Sequence, residues 1–245
     1  TLNRPDVRNA LNDAMSKELH HAMLTCDEDK EIRAVLLHGA GKSFSSGGDL
    51  KSFAEHIDNL SFHIKDTIVF LHSALTRIAR MDKPVVVAAH GNVAGAGISF
   101  MGAADIVVAA ESATFTMAYT AVGLSPDGSS TFFLPRLIGQ RRALELALTN
   151  RRLSAQEALD WGLVNQVAPD DKLLDESRGL AMQLANGPTK AFGAAKRLIR
   201  NSLTETLETQ MEYEAQSIAE MAATKDFAAG VTSFIKKEPP KFTGE

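Results

Sequence analysis

Two glycine-rich turns and one aspartate supply the residue types from which a reaction could be built. The clearer turn follows Lys83-Pro84 and an apolar, β-branched run from Val85 to Ala89, which reads as a strand covered on both faces. Gly91, Gly95 and Gly97 then let the backbone bend sharply and lie open at the start of a helix running to about Ala103. Unpaired main-chain N–H groups and the positive end of the helix dipole meet there, so the spot attracts negative charge. A dinucleotide would need Gly-x-Gly-x-x-Gly and an acid roughly 20 residues further on. Here the sixth position is Phe100, and Asp105 and Glu111 come too early. The other use is an oxyanion that forms during a reaction, and that requires a second donor. A turn of the same kind stands at Ser43-Phe44-Ser45-Ser46-Gly47-Gly48-Asp49-Leu50, soon after the apolar strand Ala34 to Leu37. The aspartate is Asp127, in Gly123-Leu124-Ser125-Pro126-Asp127-Gly128, with Phe100, Ala121, Val122 and Phe132 expected as an apolar lining around it. It sits where a helix begins, so capping that helix is its local alternative.

The elements that must position these residues can be read in order. Met15, Leu19 and Met23 recur at helical spacing between Asn12 and about Thr25, with Asn12 or Asp13 as cap. Leu50 to Leu60 is polar and mixed, and is expected to be a mobile flap. Leu60, Ile64, Ile68, Leu71, Leu75 and Ile78 form one face of a long helix ending near Met81, with His72 flanking that stripe. Strands follow at Asp105 to Ala109 and Thr114 to Thr116, then helices from about Gly128 to Ile138 and from Arg142 to Thr149. Arg151 to Ser154 reads as a turn. Ser154 and Glu157 make a capping box for a helix ending before Gly162, and Leu163 to Val167 is a last short strand. Repeated strand–helix units predict an α/β fold with largely parallel strands, and beyond Lys172 the pattern is helical throughout.

Composition bounds the possibilities. With 245 residues, 44% of them hydrophobic, the chain can bury one full α/β core. Lys plus Arg is 26 against 30 Asp plus Glu, so there is no basic field for nucleic acid. The lone cysteine, Cys26, leaves no intramolecular disulfide and fits a reducing compartment. No apolar run reaches the ~18 residues of a membrane span, and no targeting pattern opens the chain. Thr1 to Pro5 reads as the end of a strand already under way, so the natural beginning is expected to lie upstream.

The two turns, separated by one long helix, resemble the crotonase (enoyl-CoA hydratase/isomerase) superfamily. The similar segments are Leu2-Asn3-Arg4-Pro5 with Arg8-Asn9-Ala10-Leu11, Phe44 to Leu50, Lys83-Pro84 through Gly97, and Gly123 to Gly139, in the family's order and spacing. The resemblance implies a crotonase-like ββα spiral core over residues 1–168 and a helical region over 169–245 that packs on neighbouring subunits, as a trimer or a pair of trimers. It implies a cytoplasmic enzyme of fatty acid metabolism that acts on an acyl-CoA thioester, with coenzyme A as part of the substrate. No metal, further cofactor, membrane or nucleic acid is implied.

Carried over position by position, the resemblance makes the N–H groups of Gly48 and Ala96 the oxyanion donors. The two glutamates of the family's hydratases fall on Ser99 and Tyr119, so that acid–base pair is missing, and both hydroxyls are expected in the substrate pocket. An aspartate matching Asp127 occurs in family isomerases, where one carboxylate shuttles an allylic proton. The segment is most similar to these Asp-type enoyl-CoA isomerases. A hydratase is the alternative, and a catalytically silent scaffold a further one. So is an aryl-CoA dehalogenase-like hydrolase, whose nucleophile and histidine base match Asp127 and His72, although that enzyme has tryptophan where Tyr119 stands. Arg8 and Lys51 match the coenzyme A cations, and Phe234-Ile235-Lys236-Lys237 of a neighbouring subunit adds another. Main chain at Ser45, Ser46 and Gly47 would hold the adenine end, with Ser46 also beside the substrate.

Overall fold

The computed structural model describes residues 1–245. Its strands are β1 (Val35–His38), β2 (Val85–Ala89), β3 (Asn92–Ala94), β4 (Ile106–Ala110), β5 (Thr114–Thr116), β6 (Leu153–Ser154) and β7 (Gln166–Ala168). One sheet runs β1-β2-β4-β7, all parallel, and a smaller one runs β3-β5-β6. Every residue of β2 is buried, as its unbroken apolar run demands. The chain therefore alternates: a strand in the first sheet, a strand in the second, then a helix. Asn92–Ala94, read from sequence as part of a turn, is in fact the second-sheet strand, paired in parallel with β5.

This alternation brings the glycine turns together. Ser45 makes a parallel bridge to Val93 of β3, so the segment after β1 repeats what β3 does after β2. The same register carried two residues onward sets Gly47 beside Gly95. A Cβ built on either glycine would lie 3.2 Å from the other's Cα, and both sit at positive φ (92° and 52°), so a side chain on either would be crowded and strained. Gly48 and Ala96 are the next residues along the two turns.

The helices are α1 (Asp13–Glu28), α2 (Leu50–Glu55), α3 (Leu60–Arg80), α4 (Ala96–Ala103), α5 (Ser130–Ile138), α6 (Gln140–Thr149) and α7 (Ala155–Trp161), then α8 (Leu173–Ala185), α9 (Thr189–Asn201), α10 (Leu207–Ala222) and α11 (Lys225–Lys236). Asn12 caps α1, and the Ser154–Glu157 capping box of α7 is present. After β7 only helices follow. Three expectations need correction. The stretch after Asp49 is the short helix α2 with a 3-10 turn at Ile57–Asn59: Asp49 caps it by accepting from the N–H groups of Lys51 and Ser52. Leu153–Ser154 is a strand rather than a turn, and the last strand begins at Gln166.

Asn9 holds the first glycine turn in place. It is fully buried in the left-handed conformation (φ 55°), its Nδ2 donates to the carbonyls of Ala40 (2.9 Å) and Ser43 (2.7 Å), and its Oδ1 accepts from the Arg4 N–H. Asn9→Ala leaves three main-chain partners unpaired, one of them the buried Ser43 carbonyl, and places alanine at positive φ. We expect it to lower unfolding free energy by about 2–4 kcal/mol in urea denaturation. At the N-terminal end of the central strands β2 and β4, Asp105 accepts from the Val85 N–H and pairs with Lys196 (2.7 Å) and Arg200 (3.3 Å), fastening α9 to the parallel sheet. Burial holds Lys196 below the usual lysine range despite that carboxylate. Burial likewise pushes the Cys26 thiol up, away from a reactive thiolate.

Candidate active site

Gly48 is exposed, and its N–H donates to nothing in the protein. The reason lies in the main chain on either side: Leu11 N–H binds the Gly47 carbonyl (2.7 Å) and Asp49 N–H binds the Leu11 carbonyl (2.9 Å). Those two bonds leave the Gly48 N–H outside the pairing. Ala96 is the first residue of α4, so its N–H has no acceptor within the helix, and none is found outside it. Both are unpaired main-chain donors, and the one on Ala96 lies at the positive end of a helix, where negative charge is favoured.

Asp127 lies on the loop that crosses in front of α4. Its carboxylate does not cap α5: the residue at the cap position is Ser129, at φ 64° and with no capping bond. Instead Asp127 Oδ1 meets His72 Nε2 of α3 at 2.8 Å, with the two side chains 34% and 47% exposed. Asp127 Oδ2 has no hydrogen-bond partner in the protein. The Asp127 main-chain carbonyl accepts from the hydroxyls of Ser99 (3.0 Å), Tyr119 (3.3 Å) and Ser130 (2.8 Å). Gly128 (φ 62°) makes this approach possible, because a Cβ there would sit 2.7 Å from Ser99 Oγ.

Two residues expected in the pocket are not surfaces for a ligand. Phe100 is fully buried, edge-on to Phe44 at 6.3 Å, because α4 is enclosed on every side and its period gives no outward face. Ser99 is fully buried as well, with its hydroxyl committed to the Asp127 carbonyl. Tyr119 is partly buried. Burial, with the Asp127 charge nearby, pushes its phenol up to about 12, so it is neutral and donates at any working pH. In an alkaline spectrophotometric titration, one of the two tyrosines should ionise only near pH 12, and Tyr119→Phe should remove that late step.

Phe132 lies on α5 and is partly exposed. With Ser129 and Phe133 it faces His72, Leu75, Thr76 and Ala79 across a groove of about 330 Å³ between α5 and α3, which opens beside the His72–Asp127 pair. A wider groove of about 960 Å³, lined mostly by charged residues, runs from the end of α1 to the last residues of the chain, and neither glycine turn nor Asp127 touches it. Arg136 braces α5 by donating to the Phe132 carbonyl and stacking on that ring at 3.7 Å.

Around the first turn, Arg8 and Lys51 are exposed and form no ion pair. Ser45 departs from its expected place at the adenine end. It is fully buried, donating to the Asn9 carbonyl (3.0 Å) and accepting from the Gly47 N–H (3.3 Å), so it pins the loop. Ser46 is half-buried and its N–H is taken by the Arg8 carbonyl. Asn9 and Ser130 were not singled out from sequence. Asn9 stands in a quoted segment, but nothing local to Ser130 marks it.

A four-stranded parallel sheet beside a smaller second sheet, followed by a helical C-terminal part, is a crotonase-like α/β fold. The sequence model of the enoyl-CoA hydratase/isomerase family matches residues 1–245, and the chain belongs to that family. It is similar to 1,2-epoxyphenylacetyl-CoA isomerase of Escherichia coli (strain K12), 38% identical over 251 residues, covering 100% of this chain and 94% of that protein. It is similar also to 4-chlorobenzoyl coenzyme A dehalogenase-1 of Arthrobacter sp, 34% identical over 96% of this chain and 86% of the relative. The crystal structure of an enoyl-CoA hydratase from Polaromonas sp. JS666 superposes with a TM-score of 0.94 at 34% identity, over 98% of this chain and 94% of that one.

Proposed function

We propose that the protein shifts the double bond of an enoyl-CoA, with Asp127 as the proton shuttle. The observation that carries this reading is the Asp127 carboxylate: one oxygen held by His72, the other free, on a loop tied to the helix that begins at Ala96. The thioester oxygen sits between the N–H groups of Gly48 and Ala96. Oδ2 takes a proton from C2 of a 3-enoyl thioester. The electron pair spreads over C2 to C4 and onto the oxygen, where each main-chain donor contributes roughly 3 kcal/mol. The same carboxyl then delivers the proton to C4, leaving the double bond between C2 and C3. The groove between α3 and α5 takes the acyl group, and its volume lies at the lower end of the ~300–1,000 Å³ of small-molecule sites. Arg8 and Lys51 take the coenzyme A phosphates.

Hydration would need one group to activate water and another to handle the α-proton. The residues at the two glutamate positions serve poorly: Ser99 is enclosed and engaged, and Tyr119 stays neutral. The contact between His72 and Asp127 favours a second reading, hydrolytic displacement on an aryl-CoA. There Oδ2 attacks the ring carbon, halide leaves, and water, losing its proton to His72, cleaves the aryl ester.

Incubation with 3-enoyl-CoA, 2-enoyl-CoA and 4-chlorobenzoyl-CoA separates these. Conversion of the first to its conjugated isomer supports the shuttle. Formation of 3-hydroxyacyl-CoA from the second makes it a hydratase, chloride from the third makes it a hydrolase, and no product from any makes it a silent scaffold. We also propose that α9–α11 mediate self-association as a trimer or a pair of trimers. Ile199, Leu203, Leu207, Ile218, Phe234 and Ile235 leave a large apolar surface there, and light scattering gives the mass.

A further inference from the structure

Three hydroxyls converge on one acceptor that takes no part in moving a proton, the main-chain carbonyl of Asp127. The Ser130 N–H also approaches it at 3.3 Å, and because a carbonyl has two lone pairs these donors share the acceptor, the two serine hydroxyls (3.0 and 2.8 Å) lying nearer than the Tyr119 hydroxyl (3.3 Å). The donors come from three separate places. Ser99 is on α4, three residues after Ala96. Tyr119 precedes the Gly123 loop, and Ser130 opens α5. The Tyr119 ring also reaches the second glycine turn, since a Cβ built on Gly95 would lie 3.9 Å from the ring's Cζ.

We propose that Tyr119 and Ser99 are positioning residues, which hold the Asp127 carbonyl and thereby fix the carboxylate relative to the Gly95–Ala96 turn. This rests on Asp127 being the shuttle described above. Donor and acid must keep one spacing, because a misplacement of about 1 Å costs on the order of 10²-fold in rate. Ser99 ties the acid loop to the helix whose first N–H is a donor, and Tyr119 ties the same carbonyl to the turn before that helix. Both sit where hydratases carry glutamates, and here they serve geometry in place of proton transfer.

Tyr119→Phe keeps the ring against Gly95 and removes only the O–H. It should lower kcat for 3-enoyl-CoA isomerisation about fivefold to tenfold, the effect of one hydrogen bond, with KM changed less than about twofold. On an Asp127→Asn background it should cause no further loss. Ser99→Ala, the gentler variant for folding, should show the same kcat-selective loss. An independent readout needs no turnover. In 15N-labelled protein, the His72 Nε2 resonance, assigned by its disappearance in His72→Gln, should move in Tyr119→Phe in the direction it moves in Asp127→Asn. A raised KM with kcat unchanged would mean that Tyr119 touches substrate and would overturn the proposal. So would a further loss on the Asp127→Asn background, or an unmoved His72 resonance. If Asp127→Asn turns over at the original rate, the shuttle itself is wrong, and the His72 resonance still decides whether Tyr119 positions Asp127.

Discussion

Replacement of Asp127 by asparagine is expected to cut isomerisation by on the order of 10²- to 10⁴-fold while acyl-CoA binding stays within about twofold. The substitution is nearly isosteric, and its carbonyl oxygen can still accept from His72 Nε2, now 2.8 Å from Asp127 Oδ1. The clamp from Ser99, Tyr119 and Ser130 engages the main chain, which the substitution leaves alone. Folding and the cradle for the thioester oxygen are therefore preserved. What disappears is the second carboxylate oxygen, the one without a protein partner, because an amide nitrogen in that place takes no proton. An interaction used only in the transition state lowers kcat and kcat/KM together. The measurement is the rate at which conjugated enoyl-CoA appears, beside calorimetric titration with a saturated acyl-CoA. An unchanged rate would remove the proposed mechanism, and a lost affinity with normal kcat would make Asp127 a binding group.

How far the sequence reveals this arrangement depends on the range over which each feature is determined. The glycine turns are legible because the requirement is local: Gly91 and Gly95 adopt φ values of 56° and 52°, which other residues enter at a cost. The Asn12 cap and the Ser154–Glu157 box are legible for the same reason. The strand at Asn92–Ala94 is three residues long, and its partners are Ser45 and Thr114–Thr116, far away in sequence. No local periodicity marks it. The helix α2 has six residues and an exposed Leu50, so it carries no amphipathic pattern, and Phe53 turns toward Gly48 only in three dimensions. Phe100 shows the converse failure. An all-buried helix offers no polar face from which to tell the cleft side from the core side. Asp127 is the decisive case. Its immediate neighbours allow a helix cap, and only the approach of His72, 55 residues earlier, shows that the carboxylate is turned elsewhere.

Gly48→Pro should lower kcat by about 10²- to 10³-fold, the effect of losing one oxyanion donor. Proline deletes the N–H, and the fold loses no hydrogen bond with it, because the local pairing runs through Gly47 and Asp49. The preceding residue is Gly47, at φ 92°, the residue type least restricted by a following proline. Any side chain at position 48 brings a Cβ within 3.0–3.1 Å of the tip of the Phe53 ring, so a steric effect must be separated from the missing donor. Gly48→Ala makes that separation. It presses Phe53 in the same way and keeps the N–H, so its loss should be smaller by at least about tenfold. Circular dichroism on both variants establishes that the α/β core is intact before rates are compared. Equal losses in the two variants would assign the effect to crowding against α2. A proline variant with the original rate would leave Ala96 as the sole donor and take half the cradle out of the chemistry. A large loss confined to proline is the outcome that a thioester oxygen bound between the two glycine turns requires.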